Sequence, residues 1–116
     1  MGNPVVWFEI GVKDDATATQ FYADLFGWKI NSDNQAHYGM VDTDSGGEGV
    51  GGGINSPPEG GPYTTFYVNC EDVQAKLNQA ERLGAKVVMP PMQIPDGPEI
   101  ALFSDPDGNL IGLTKM

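Results

Sequence analysis

The side chains best suited to chemistry in the first half of the sequence are a carboxylate and an imidazole, Glu9 and His37. Glu9 follows Trp7 by two residues in the run VVWFEIGV, where an indole and aliphatic neighbours would partly remove its carboxylate from water. Such a group is a candidate general base, or a partner for a donor group on a ligand. His37, the single histidine, is predicted to be an exposed or capping residue of a strand. Together the two residues fall short of the three protein ligands of a normal catalytic metal site.

A glycine near the end of the chain raises a separate question. In the stretch DPDGNLIGL, Asp105–Leu113, the Asp-Pro-Asp-Gly residues predict a turn, and the residues after them alternate as in a strand. Gly112 falls on the face opposite Ile111 and Leu113. A glycine inside a strand indicates a close approach to the backbone or a side chain that is missing from that position.

The composition limits the kinds of partner. The chain has 116 residues, 40% of them hydrophobic, which predicts one globular domain with a modest core. Its 16 acidic and 6 basic residues give a formal charge of −10, which disfavours nucleic acid and anionic membranes. The single cysteine, Cys70, excludes an internal disulfide framework, and no apolar run reaches the length of a membrane span. We therefore expect an acidic cytoplasmic protein without nucleic-acid or membrane partners.

The two halves of the chain follow one plan. VVWFEIGVKDD and YTTFYVNCEDV both alternate as strands and lead into acidic N-cap signals at Asp14 and Asp72, after which helical patterns begin. The two capping residues are about 58 residues apart, as a duplicated unit would give. Three further strand-like runs follow each helix. The prediction is a single domain over residues 1–116, made of two strand–helix–three-strand modules at 1–56 and 62–116.

Alternation along the strands assigns each side chain to one of two faces. A sheet with one layer of helices needs its apolar side chains toward those helices. This helix side is predicted to hold Phe8, Ile10, Val12, Phe66, Val68, Cys70, Ala101, Phe103, Ile111 and Leu113, with Phe8 and Phe66 each beneath a helix. The other face is predicted to hold Trp7, Glu9, Gly11, Thr65, Tyr67, Asn69, Ile100, Leu102, Leu110, Gly112 and Thr114. Its mixture of aromatic, aliphatic and polar groups is typical of a cleft for a small molecule.

Three stretches resemble the vicinal oxygen chelate superfamily, which contains glyoxalase I, the bleomycin and fosfomycin resistance proteins and the extradiol dioxygenases. They are VVWFEIGVKDDATATQFYADLFGWKI, FYVNCEDVQAKLNQAERLGAKVVMPP and the DPDGN turn before the last strand. The resemblance covers essentially the whole chain. It implies an α+β fold in which two βαβββ modules form a curved mixed sheet around a cleft, with helices on the outer face. Homodimers are common among relatives of this length, so the resemblance also implies a homodimer.

The resemblance implies where a metal ion would bind. In the metal-dependent relatives a His precedes the Asp that opens the first helix, a second His lies at the same point of the second half, and a Glu follows the DPDGN turn. The matching positions hold Trp7, Thr65 and Gly112, with a fourth position near Gly53 or Asn55. Indole has no lone pair for a metal ion, glycine has no side chain, and a threonine hydroxyl alone is a poor ligand. We therefore expect no metal site and no cofactor.

Three classes of function stay open. The favoured class is a metal-free protein that binds a small, partly aromatic organic molecule in the cleft, as in the bleomycin resistance branch. The second is a metal-independent enzyme with Glu9 as its catalytic base. The third, disfavoured by the mapped positions, is a metal-dependent lyase, isomerase or transferase. The residues predicted to contact the ligand are Trp7, Glu9, Thr65, Tyr67, Ile100, Leu102, Leu110 and Gly112.

Overall fold

The computed structural model describes residues 2–34, 38–44, 47–57 and 62–116. Within these ranges the elements follow one another as a strand, a helix and three strands, twice over. They are β1 (Val5–Gly11), α1 (Asp15–Phe26), β2 (Lys29–Asn31), β3 (Gly39–Asp42), β4 (Gly52–Asn55), β5 (Tyr63–Asn69), α2 (Val73–Arg82), β6 (Lys86–Gln93), β7 (Glu99–Ser104) and β8 (Leu110–Lys115). The strands pair in both parallel and antiparallel fashion. The predicted α+β class with two βαβββ modules is confirmed.

Contacts within the chain divide it into two compact units. The first unit is Trp7–Thr64, and the second is Met1–Val6 together with Thr65–Met116. Strands of the first unit lie in the order β2-β3-β4-β1, with β4 parallel to β1 and antiparallel to β3. Strands of the second unit lie in the order β5-β8-β7-β6, with β8 parallel to β5 and antiparallel to β7. The module boundaries at 1–56 and 62–116 stay a prediction.

Helix α1 begins after the capping residue that the sequence predicts. The Asp14 carboxylate accepts a hydrogen bond from the backbone N–H of Thr17 at 3.2 Å. Hydrogen bonds from the backbone and the hydroxyl of Thr17 lower the pKa of Asp14. Gly27 then ends the helix in the left-handed conformation, with φ of 71°.

An aromatic layer links β1 to α1. The ring of Phe8 lies 5.5 Å from that of Trp28, which stacks on Tyr22 of α1 at 5.4 Å between ring centroids. Phe8 therefore lies on the helix side of β1, as predicted. The outer part of the layer faces solvent, and three apolar α1 side chains are more than half exposed: Phe21, Leu25 and Phe26.

The second unit has the more deeply buried core. Helix α2, capped by the Asp72 carboxylate on the N–H of Ala75, inserts two fully buried side chains. The core consists of Cys70, Val73, Leu77, Ala101 and Leu113, with Val68 and Phe103 packed against it. Burial raises the pKa of the Cys70 thiol, which disfavours the reactive thiolate. Cys70 lies on the helix side, as predicted.

The prediction for Phe66 is wrong. Its side chain is 39% exposed rather than buried beneath a helix. Helix α2 packs on β6, β7 and β8, and β5 is not among the strands with which it makes extensive contact. Phe66 therefore lies on the face of the strand that alternation predicts, but at a point that α2 does not cover.

Candidate functional site

A buried carboxylate lies on the face of β1 opposite Phe8. Glu9 is 7% exposed, and both of its oxygens accept hydrogen bonds from phenols. The Tyr38 hydroxyl donates to Oε1 at 2.8 Å, and the Tyr63 hydroxyl donates to Oε2 at 2.5 Å. One phenol thus holds each oxygen of the carboxylate. Both hydrogen bonds are charge-assisted, which makes them stronger than bonds between neutral groups.

Each phenol is fixed in turn by an N–H donor. The Trp7 indole Nε1–H donates to the Tyr38 hydroxyl oxygen at 3.0 Å, and the Asn55 amide donates to the Tyr63 hydroxyl oxygen at 3.2 Å. All five side chains belong to the first unit, because that unit extends to Thr64 and so includes Tyr63, the first residue of β5. We call these residues, Trp7, Tyr38, Glu9, Tyr63 and Asn55, the Glu9 network.

Strand register and two glycines bring the network together. Glu9 pairs with Gly53 of β4, which pairs with Met40 of β3, so that these positions share one face of the sheet. A Cβ atom at Gly53 would overlap the ring of Tyr38, and one at Gly11 would overlap the ring of Tyr63. The missing side chains leave room for the two rings to lie against the sheet, as aromatic rings often do over strand glycines.

The network is expected to lose stability at alkaline pH. Burial, and then the hydrogen bond to Glu9, raise the pKa of the Tyr63 phenol from 10.0 to about 12. Because the pKa of Tyr63 is higher in the folded protein than in the unfolded chain, its protonated phenol contributes to the free energy of unfolding. This contribution is complete below pH 10 and is lost as the pH rises through about 12. The ultraviolet phenolate absorbance of wild type minus that of Tyr63→Phe should have its midpoint near pH 12. A midpoint near pH 10 would contradict the assignment.

An open depression of about 390 Å³ lies beside Trp7. Its lining comes almost entirely from β2 and β3: Trp7, Lys29, Ile30, Asn31, Met40, Val41 and Asp42. Lys29 pairs with Asp42 across the two strands, and Asn31 pairs with Met40. The depression therefore offers an indole, a thioether, an amide and two opposite charges within one unit. Among these residues, only Trp7 was predicted from the sequence to contact a ligand.

Three predicted site residues of the second unit are engaged in packing. Thr65 and Tyr67 are each 4% exposed. The Thr65 hydroxyl donates to the backbone carbonyl of Leu110 at 2.7 Å, which ties β5 to β8. The Tyr67 ring lies over Gly112, where a Cβ atom would overlap it. This contact explains the glycine in the last strand, since the position opposite Ile111 and Leu113 is filled by a ring from β5.

The remaining predicted site residues share that face of the second unit. Leu102 of β7 pairs with Gly112, and Ile100 pairs with Thr114. Ile100, Leu102 and Leu110 are partly buried. The six residues that alternation assigns to one face therefore share it: Thr65, Tyr67, Ile100, Leu102, Leu110 and Gly112. None of the six lines the depression beside Trp7. Their contact with a ligand stays a prediction.

The residues at the mapped metal positions do not fit a metal ion. The Trp7 Nε1–H and the Thr65 hydroxyl both act as hydrogen-bond donors, and Gly112 lies beneath the Tyr67 ring. At the fourth position, Gly53 lies beneath the Tyr38 ring and the Asn55 amide donates to Tyr63. In the described part of the chain, no three His, Cys, Asp or Glu side chains form a group that could hold a metal ion. His37 lies outside the described residues.

The chain belongs to the glyoxalase/bleomycin resistance protein/dioxygenase superfamily, which it matches over residues 5–113. It is 30% identical over 113 residues to CFP32 of Mycobacterium tuberculosis, which is provisionally named a glyoxylase; the match covers 92% of this chain and 43% of CFP32. It is also 30% identical over 119 residues to the anthracycline biosynthesis protein DnrV of Streptomyces peucetius, covering 88% of this chain and 43% of DnrV. The chain therefore spans less than half the length of these relatives.

A solved structure agrees with this assignment at the level of the fold. Methylmalonyl-CoA epimerase from Mycobacterium tuberculosis matches with a TM-score of 0.69 and 18% sequence identity, over 96% of this chain and 86% of that one. The resemblance predicted from the sequence is confirmed. No helix among the described residues is long and apolar enough to cross a membrane. The homodimer, the cytoplasmic location and the lack of a nucleic-acid partner stay predictions.

Proposed function

We propose that this protein binds a small, partly aromatic organic molecule against Trp7 and needs no metal ion to do so. The observation that carries the proposal is the indole of Trp7, which is fixed by its hydrogen bond to Tyr38 and forms part of the lining of a depression of about 390 Å³. That volume lies at the lower end of the range of small-molecule sites. It suits a ligand of two or three fused rings.

The lining supports an aromatic ligand with a polar end. An indole ring offers a stacking surface, and the thioether of Met40 makes favourable contacts with aromatic rings. Lys29 and Asp42 are solvent-exposed and lie at one cross-strand position, where they can orient a charged or polar substituent. The relative DnrV is named an anthracycline biosynthesis protein. Anthracyclines contain fused aromatic rings, so this name supports a ligand of the same kind.

Independence from metal is supported by the chemistry of the mapped positions. An imidazole or carboxylate that binds a metal ion presents a lone pair to it. The side chains of Trp7 and Asn55 instead present N–H groups to phenol oxygens, and Thr65 presents its hydrogen to a carbonyl. The proposed site therefore recognises its ligand through ring contacts and side-chain charges.

The geometry favours Glu9 less as a catalytic base than as a fixed internal group. A base must reach the proton that it removes. Glu9 is 7% exposed, both of its oxygens already accept hydrogen bonds from tyrosines, and it is absent from the lining of the depression. We therefore propose binding rather than metal-independent catalysis as the function of this unit.

A ligand screen combined with elemental analysis tests the proposal. The probes are naphthoate, naphthylmethylammonium and naphthoquinone, which share a two-ring system and carry a negative, a positive and no charge. Protein prepared without chelators should contain far less than one equivalent of zinc, nickel, manganese or iron. At least one probe should raise the melting temperature in proportion to the logarithm of its concentration. A near-stoichiometric metal ion, or no stabilisation by any of the three probes, would contradict the proposal.

A further inference from the structure

The depression and the buried carboxylate are connected by one hydrogen-bonded chain. Trp7 belongs to the lining of the depression, whereas Glu9 does not. Tyr38 lies between them, since it accepts from the Trp7 indole at 3.0 Å and donates to Glu9 at 2.8 Å. We infer that Glu9 is a positioning residue, which holds the Trp7 wall of the ligand site through Tyr38. This inference rests on the proposed function, because it assigns Glu9 a role in that same site.

The direction of each hydrogen bond gives Glu9 its control over Tyr38. A phenol has one hydrogen to donate and lone pairs with which to accept. A carboxylate only accepts, so the Tyr38 hydrogen is directed at Glu9 and an oxygen lone pair is left for the Trp7 N–H. An amide in place of the carboxylate could donate to Tyr38 instead. It would then compete with the indole for the phenol oxygen.

The other side of the network holds the carboxylate itself in place. Tyr63 donates to the second oxygen of Glu9, and the Asn55 amide holds Tyr63. Because both oxygens are bound, the carboxylate plane is fixed on both sides. A rotation of the Glu9 carboxylate would break its hydrogen bonds to Tyr38 and Tyr63.

The Trp7 ring packs close to the backbone at Gly51. A Cβ atom added at Gly51 would lie 3.2 Å from a carbon of the six-membered ring of Trp7. The hydrogen bond from the Trp7 Nε1–H to the Tyr38 oxygen is a directional contact, so it favours one orientation of the indole.

The test follows the indole N–H signal of Trp7 by ¹H–¹⁵N NMR in ligand-free protein. The chain contains two tryptophans, Trp7 and Trp28, so two indole signals are expected, and a Trp7→Phe variant assigns them. Glu9→Gln and Tyr38→Phe should each shift or broaden the Trp7 signal, while the Trp28 signal stays in place. Tyr22→Phe is the matched control, because it removes a phenol oxygen from α1 in the same unit but outside the Glu9 network.

Ligand affinity provides the second readout. With whichever naphthyl probe binds most tightly, Tyr38→Phe and Glu9→Gln should each weaken binding about fivefold, as expected for the loss of one positioning hydrogen bond. In the Tyr38→Phe background, Glu9→Gln should weaken binding little further, because the connection is already broken. Independent, additive losses would overturn the positioning role.

The outcomes separate this inference from the proposed function. If no naphthyl probe binds, the proposed function fails, and the indole signals still show whether Glu9 positions Trp7. If a probe binds but the Trp7 signal and the affinity are unchanged in folded Glu9→Gln, the positioning role alone is overturned. Should Glu9→Gln fail to fold, Glu9→Asp takes its place in the same measurement, because a shorter side chain withdraws the carboxylate from Tyr38 and leaves the Trp7–Tyr38 pair intact. An unchanged Trp7 signal in that variant overturns the inference.

Discussion

Replacing Gly112 with alanine is expected to destabilise the folded protein by about 1–3 kcal/mol, which is the usual cost of overpacking a filled site. The added methyl group would overlap the ring of Tyr67, which is 4% exposed and has little space into which it can move. Equilibrium unfolding in urea at constant pH measures the loss. The midpoint should fall while the dependence on urea concentration stays the same.

Two further variants give the Gly112 result its meaning. Gly2→Ala adds a methyl group where no other atom lies within 4 Å, so its stability should equal that of wild type. In a Tyr67→Ala background, which lacks the ring, Gly112→Ala should cost much less than it does alone. A single Gly112→Ala variant as stable as Gly2→Ala would show that the Tyr67 ring does not require a glycine beneath it.

Replacing Trp7 with alanine is expected to weaken the binding of the best naphthyl probe by about tenfold or more. The substitution removes the ring from the lining of the depression. Trp7 is only partly buried, so the fold should survive, as far-ultraviolet circular dichroism can show. Fluorescence or calorimetric titration of the variant gives the dissociation constant.

Trp7→Phe is the matched variant for this experiment. It retains an aromatic ring but removes the N–H that Tyr38 accepts, so its affinity should lie between those of wild type and Trp7→Ala. If Trp7→Ala unfolds while Trp7→Phe binds the probe with wild-type affinity, then Trp7 belongs to the core and the ligand binds elsewhere.

Local patterns were sufficient to predict the elements of the fold. Asp14 and Asp72 cap the two helices as predicted, and alternation places Val68, Cys70 and Leu113 on the helix side. These features depend on interactions within a few residues or on a period of two, which a sequence displays directly. The cover over Phe66 depends instead on which strands α2 crosses, and no local pattern contains that information.

The candidate site was only partly predictable. Alternation places Met40 of β3 on the same side as Tyr38, the residue before that strand, but it does not say whether Glu9 shares that side. That relation follows from the pairing of β1 with β4 and of β4 with β3, which joins residues far apart in the sequence. Tyr63 alternates in step with Thr65 and Tyr67, so the sequence indicates which face of β5 it occupies. The sequence does not indicate its hydrogen bond to Glu9. The short strand β2 gave no signal of a ligand site.

Titration calorimetry with the best naphthyl probe, in the presence and absence of EDTA, tests whether the ligand binds against Trp7 without a metal ion. If the ligand binds against Trp7 without a metal ion, wild type should give the same stoichiometry and affinity in both buffers. Trp7→Ala should lose at least about tenfold in affinity in both. Binding that disappears in EDTA and returns with added zinc or manganese would contradict the account.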